Sequence, residues 1–133
     1  MKFKYDKPDA RWRAELDPQA YRVMREGRTE ARFSGQHCQP RAEGMYRCRG
    51  CHTPLFDTLA QVDADFGWPC FVEALDAHNL FEETEASYGM LRTELFCKGC
   101  GSHLGFIYED DGPDSPVRFC VNSVALEFVA RPG

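Results

Sequence analysis

Leu91-Arg92-Thr93-Glu94-Leu95-Phe96-Cys97-Lys98-Gly99-Cys100 runs an extended segment directly into a C-x-x-C knuckle. Alternation at its start and an apolar end predict a strand over Leu91 to Phe96. A second knuckle, Cys48-Arg49-Gly50-Cys51, stands well upstream. Zinc takes four soft ligands at tetrahedral corners, and each C-x-x-C turn can deliver two thiolates to adjacent corners. Together the knuckles predict a structural four-cysteine zinc site on Cys48, Cys51, Cys97 and Cys100 that clamps two distant parts of a sheet. Cys48 to His52 also spells the C-x-x-C-H of haem attachment, but that reading leaves the second knuckle unexplained. A redox-active C-x-x-C commonly opens a helix, whereas the flanks here are strand-like. His52 is expected in a loop, because four cysteines already fill the coordination shell.

Working outward, Leu104 to Tyr108, Arg118 to Val121 and Val124 to Val129 read as further strands, with a turn at Asp110–Asp114. The N-terminal third reads as helical. Asp17 is a helix cap, Pro18 a first helical residue, Ala20, Tyr21, Val23 and Met24 an apolar face, and Gly27 a stop. Thr29 to Phe33 suggest a second short turn. The fold expected is mainly β, with an N-terminal helical arm laid over the core.

The chain has 133 residues, which fits one domain: a helical arm and loop over 1–44 and a metal-held β core over 45–130. Its net charge is −5, and residues 46–133 carry fourteen acidic against six basic groups, which disfavours nucleic acid as a partner. The N-terminus lacks a signal-peptide pattern and no long apolar run appears, so a cytoplasmic protein away from membranes is expected. Seven cysteines in a reducing compartment then point to metal ligation and catalysis rather than to disulfides.

Three cysteines remain once the metal site is filled: Cys38, Cys70 and Cys120. Arg118 can lower the pKa of Cys120, and Asn122 shares its strand face. A buried core cysteine is the competing reading. Gly67-Trp68-Pro69 places an indole just before Cys70. His103 can equally be a structural histidine.

Tyr21-Arg22-Val23, Gly27-Arg28-Thr29-Glu30, Phe33-Ser34-Gly35, Gly44-Met45-Tyr46-Arg47-Cys48, Gly67-Trp68-Pro69, Tyr88 to Glu94, His103-Leu104-Gly105 and Arg118 to Ser123 together resemble the methionine-R-sulfoxide reductase (MsrB or SelR-like) family. The resemblance spans roughly residues 15 to 129. It implies an Mss4-like fold of two packed antiparallel sheets, with zinc away from the catalytic centre. It further implies that Cys120 is the nucleophile, that His103 and Asn122 belong to the catalytic site, and that Trp68, Phe106 and Arg118 bind substrate. The substrate would be methionine-R-sulfoxide in proteins or peptides, the recycling partner a thioredoxin-like reductant, and the chain a monomer. Phe106 stands where the family has the second histidine of its H-L-G-H motif, and Phe119 where it has tyrosine. Phe66 occupies the place of a common resolving cysteine, which leaves Cys38 and then Cys70 as candidates, or direct exchange with an external thiol. A catalytically weakened binding module is the second reading that Phe106 opens.

Overall fold

A computed structural model describes residues 3–38, 43–63, 66–87, 90–109 and 117–131. The expected turn at Asp110–Asp114 lies outside the described residues. Two helices come first, α1 (Asp9–Glu15) and α2 (Pro18–Glu26). Strands β1 (Gly44–Cys48), β2 (Pro54–Asp57), β3 (Gln61–Val62), β4 (Cys70–Phe71), β5 (Leu80–Ser87), β6 (Met90–Cys97), β7 (His103–Glu109), β8 (Val117–Val121) and β9 (Leu126–Ala130) follow. They form two antiparallel sheets, ordered β2-β1-β9 and β3-β4-β8-β7-β6-β5. The mainly β fold with a helical arm is therefore as the sequence predicts. Among the described residues no helix is long and apolar enough to cross a membrane.

α2 forms where its caps place it. The Asp17 carboxylate accepts from Ala20 N at 2.9 Å, and Gly27 closes the helix in the left-handed conformation at φ 74°. α1 has no such cap: Pro8 precedes it without a side-chain bond, and Trp12 is the residue it buries. Arg13–Asp9 and Arg11–Glu15 pairs at 2.7 and 2.9 Å line its exposed side. Lys7 and Arg25 lie over the Trp12 ring at 4.5 and 4.3 Å, fastening α1 to α2.

Between the sheets, apolar rings interlock. Phe56 of β2 stacks on Phe71 of β4 at 4.3 Å and lies 5.8 Å from Phe119 of β8. Tyr46 of β1 meets Phe71 edge-on at 5.5 Å. Such pairs add about 0.5–1.5 kcal/mol beyond simple burial. Leu95 and Val121 complete this core face of the larger sheet. By the strand alternation, Cys120, Phe106 and Glu94 point to the opposite face.

Two sequence expectations need correction. Val124–Val129 is not one strand: Ser123–Ala125 form a 3-10 turn, and β9 starts only at Leu126. The Val124 amide donates to the Glu30 carboxylate at 3.0 Å and its carbonyl accepts from Arg49 Nε at 2.7 Å, so neither serves a ladder. Thr29 to Ala31 likewise make no turn. The Glu30 amide and carbonyl are engaged by Asn122 and Trp68, and the chain turns only at Arg32–Phe33, where Phe33 takes φ 62°.

Candidate functional site

The two knuckles meet at one point. Cys48 ends β1 in the small sheet and Cys97 ends β6 in the large one. The four sulfurs of Cys48, Cys51, Cys97 and Cys100 all lie within 4.8 Å of one another. Cys48 and Cys100 are 3.7 Å apart, and Cys51 and Cys97 3.6 Å. A regular tetrahedron with zinc–sulfur bonds near 2.3 Å has edges of about 3.8 Å, so the cage fits such an ion. Cys48, Cys97 and Cys100 are buried and Cys51 is half-buried. Each knuckle folds in the same way, with His52 N bonded to Cys48 O and Gly101 N to Cys97 O, both at 2.8 Å. Cys100 is drawn down to about 7, first by its hydrogen bond with Cys48, which is itself pushed well up by the same contact. These four cysteines can hold a metal ion. His52 sits in the exposed loop expected, at φ 65°.

Two of the three remaining thiols, Cys70 and Cys120, lie together on the outer face of the large sheet. β4, β8, β7 and β6 lie side by side, and Cys70, Cys120, Phe106 and Glu94 pair in register across them. Register partners project from the same face. Cys70 and Cys120 are both buried, with sulfurs 3.5 Å apart. The two therefore titrate as a pair sharing a proton. Cys70 is lowered, first by the hydrogen bond from Cys120, against its own burial and with help from the Arg118 charge. Cys120 is pushed well above the ordinary thiol range by that same bond, then by burial.

Gly105 of β7 opposes Val121, and a side chain there has no room. A Cβ would stand 2.0 Å from the Cys120 carbonyl oxygen, so glycine lets β7 lie close along β8 beside the thiols.

Trp68 stands edge-on to Phe106, ring centres 5.5 Å apart at 87°. Its indole N–H donates to the Glu30 carbonyl at 3.0 Å. Asn122 accepts from the Glu30 amide and donates through its side chain to Leu104 O, each at 2.9 Å. Glu30 thus braces both Trp68 and Asn122 from the backbone of one residue, while its carboxylate holds Val124 N. Burial raises the Glu30 carboxyl, opposed by the amides of Val124 and Ser123. Glu30 went unassigned in the sequence, where an acidic residue between threonine and alanine looks like a solvated surface group. It is only 4% exposed.

His103 is buried. Its Nε2 contacts Glu94 at 2.7 Å and its Nδ1 contacts the Val23 carbonyl at 3.1 Å. Burial raises the Glu94 carboxyl, but the hydrogen bond of His103, helped by Arg92, outweighs it and leaves the group lowered. Both imidazole nitrogens are therefore engaged, and His103 lies two register rows away from Cys120. Arg118 pairs with Tyr108 in register, and its Nη1 is buried without a hydrogen-bond partner among the described residues. Cys38 is half-buried, its sulfur 3.4 Å from Gly35 O and 3.3 Å from Gly67 O. Phe66 packs on Tyr108 at 5.0 Å.

A family model described as the SelR domain matches residues 16–130. A peptide methionine sulfoxide reductase MsrB of Thiobacillus denitrificans is 47% identical over 122 residues, 92% of either chain. Proteins of the same name from Herminiimonas arsenicoxydans and Teredinibacter turnerae are each 43% identical. The first alignment covers 99% of this chain and 96% of the relative, the second 92% and 90%.

Proposed function

The chain belongs to the SelR domain family, and from that premise we propose that it is a peptide methionine (R)-sulfoxide reductase with Cys120 as nucleophile. The observation that supports the reading is the row Cys70–Cys120–Phe106 with Trp68 set against Phe106, which sets the Cys120 thiol beside an aromatic wall. A thioether methyl packs well on such rings.

In this mechanism the Cys120 thiolate attacks the sulfoxide sulfur while Trp68 and Phe106 grip the methyl group. The oxygen takes a proton, the S–O bond breaks, and hydroxyl passes to the Cys120 sulfur. Methionine leaves reduced by two electrons and Cys120 remains as a sulfenic acid. The unpartnered Arg118 Nη1 supplies a donor near this face, and Asn122 keeps the strand end fixed through Glu30 and Leu104. A thiol then converts the sulfenic acid to a disulfide, which a thioredoxin-like dithiol of the cytoplasm reopens. Zinc held by Cys48, Cys51, Cys97 and Cys100 would supply no chemistry to these steps and would tie the two sheets together.

The test is consumption of the separate R and S epimers of a blocked methionine sulfoxide by metal-loaded protein, with dithiothreitol as reductant. Selective loss of the R epimer is expected. Consumption of neither by a folded sample would overturn the reading and favour a binding module instead.

Phe106 supports that second reading, because phenylalanine cannot protonate a leaving oxygen. Replacing it supplies the next expectation. Phe106→His should raise kcat by about 10²-fold, toward the 10²–10⁴ typical of a placed general acid. The edge-on contact with Trp68 is partly lost, at about 0.5–1.5 kcal/mol of stability. Paired kcat and melting measurements check both effects. An unchanged kcat would show that oxygen is protonated from elsewhere.

A further inference from the structure

Sequence order ranks Cys38 ahead of Cys70 as the thiol that resolves oxidised Cys120, but the sheet register ranks them the other way. Cys70 and Cys120 are partners on adjacent antiparallel strands. Val121 N donates to Pro69 O at 2.9 Å, which makes 69 and 121 a hydrogen-bonded pair of the ladder. By alternation, 70 and 120 are a non-hydrogen-bonded pair, where Cα atoms stand about 4.5 Å apart and side chains are closest. A disulfide needs Cα atoms roughly 4.4–6.8 Å apart, so this pair lies within the permitted window. The sulfurs are already in contact at 3.5 Å.

We infer that Cys70 is the resolving thiol, closing a disulfide onto Cys120 directly across β4 and β8. The inference rests on Cys120 being the nucleophile proposed above. The Cys70 sulfur attacks the sulfenic sulfur of Cys120, the S–O bond breaks, and hydroxide departs as water with the proton from Cys70. Both thiols of the reducing dithiol are then oxidised as Cys70 and Cys120 return to the thiol state. No loop has to move for the closing step, and the reacting group is held in place rather than recruited from solution. Cys38, by contrast, is held at the Gly35 and Gly67 carbonyls.

The test is disulfide mapping of wild-type protein treated with one equivalent of methionine-R-sulfoxide peptide, without reductant, then alkylated, digested and read by mass spectrometry. A Cys70–Cys120 cross-link, formed equally in Cys38→Ser, is expected. A Cys38–Cys120 link, or a sulfenic acid that persists on Cys120 and is captured by dimedone, would overturn the inference. Cys70→Ser should complete one turnover, accumulate that dimedone adduct, and lose at least about tenfold in thioredoxin-driven cycling. Hydrogen peroxide serves as a second oxidant. If the sulfoxide is not consumed but peroxide yields the Cys70–Cys120 link, the activity proposed above fails while the resolving pair stands.

Discussion

Cys120→Ser is expected to lower turnover of the R epimer by on the order of 10⁴-fold or more, as removal of a nucleophile does in other enzymes. The alcohol ionises far less readily than a thiol, and it cannot accept oxygen from a sulfoxide to give a reducible intermediate. The structural change is small by comparison. The serine hydroxyl replaces a buried thiol and can keep the contact with Cys70, so the melting temperature should stay within a few degrees of wild type. Epimer-resolved chromatography and a thermal melt on the same sample check the two halves together. A folded serine variant within tenfold of wild-type turnover would remove Cys120 from the mechanism.

The parts of this site that were legible in the sequence are those written in local patterns. α2 follows from Asp17, Pro18 and Gly27, three residues whose backbone preferences coincide with its two ends. β6 follows from alternation at its start, β7 and β8 read as short strands set off by turn signals, and the metal cage follows from two spacings that tetrahedral coordination explains. What stayed hidden depends on contacts made across the chain. β4 is two residues long, too short for any period, so the pairing of Cys70 with Cys120 fifty positions away could not be read locally. The Ser123–Ala125 turn interrupts an alternating pattern because Glu30, ninety-four residues before Val124, takes its amide. Glu30 itself joins Trp68, Asn122 and Val124, and the one trace of this in the sequence is its place in the Gly27-Arg28-Thr29-Glu30 segment carrying the family resemblance.

Stripping the metal should have the opposite profile to Cys120→Ser: it should cost the fold before it costs any chemistry. Cys48 closes the last position of β1 and Cys97 the last of β6, so the cage joins the small sheet to the large one at their ends. Three of its four thiols are buried, and without a cation they are mutually repulsive once ionised. Structural zinc contributes an apparent ~10–16 kcal/mol in small metal-held domains. A domain of this size is stable by only about 5–15 kcal/mol in total. The first quantity is comparable to the whole of the second, so the metal-free chain is expected to be unfolded or loosely packed at neutral pH. Cys97→Ser should behave similarly, because it removes a ligand and leaves the others facing one another. Near-UV circular dichroism and urea melts, with metal content measured on each sample, give the readout. Zinc-depleted protein that keeps its near-UV spectrum and melts within a few degrees of the loaded form would show that the interlocked Phe56, Phe71 and Phe119 rings hold the sheets by themselves, and the cage would then need another purpose.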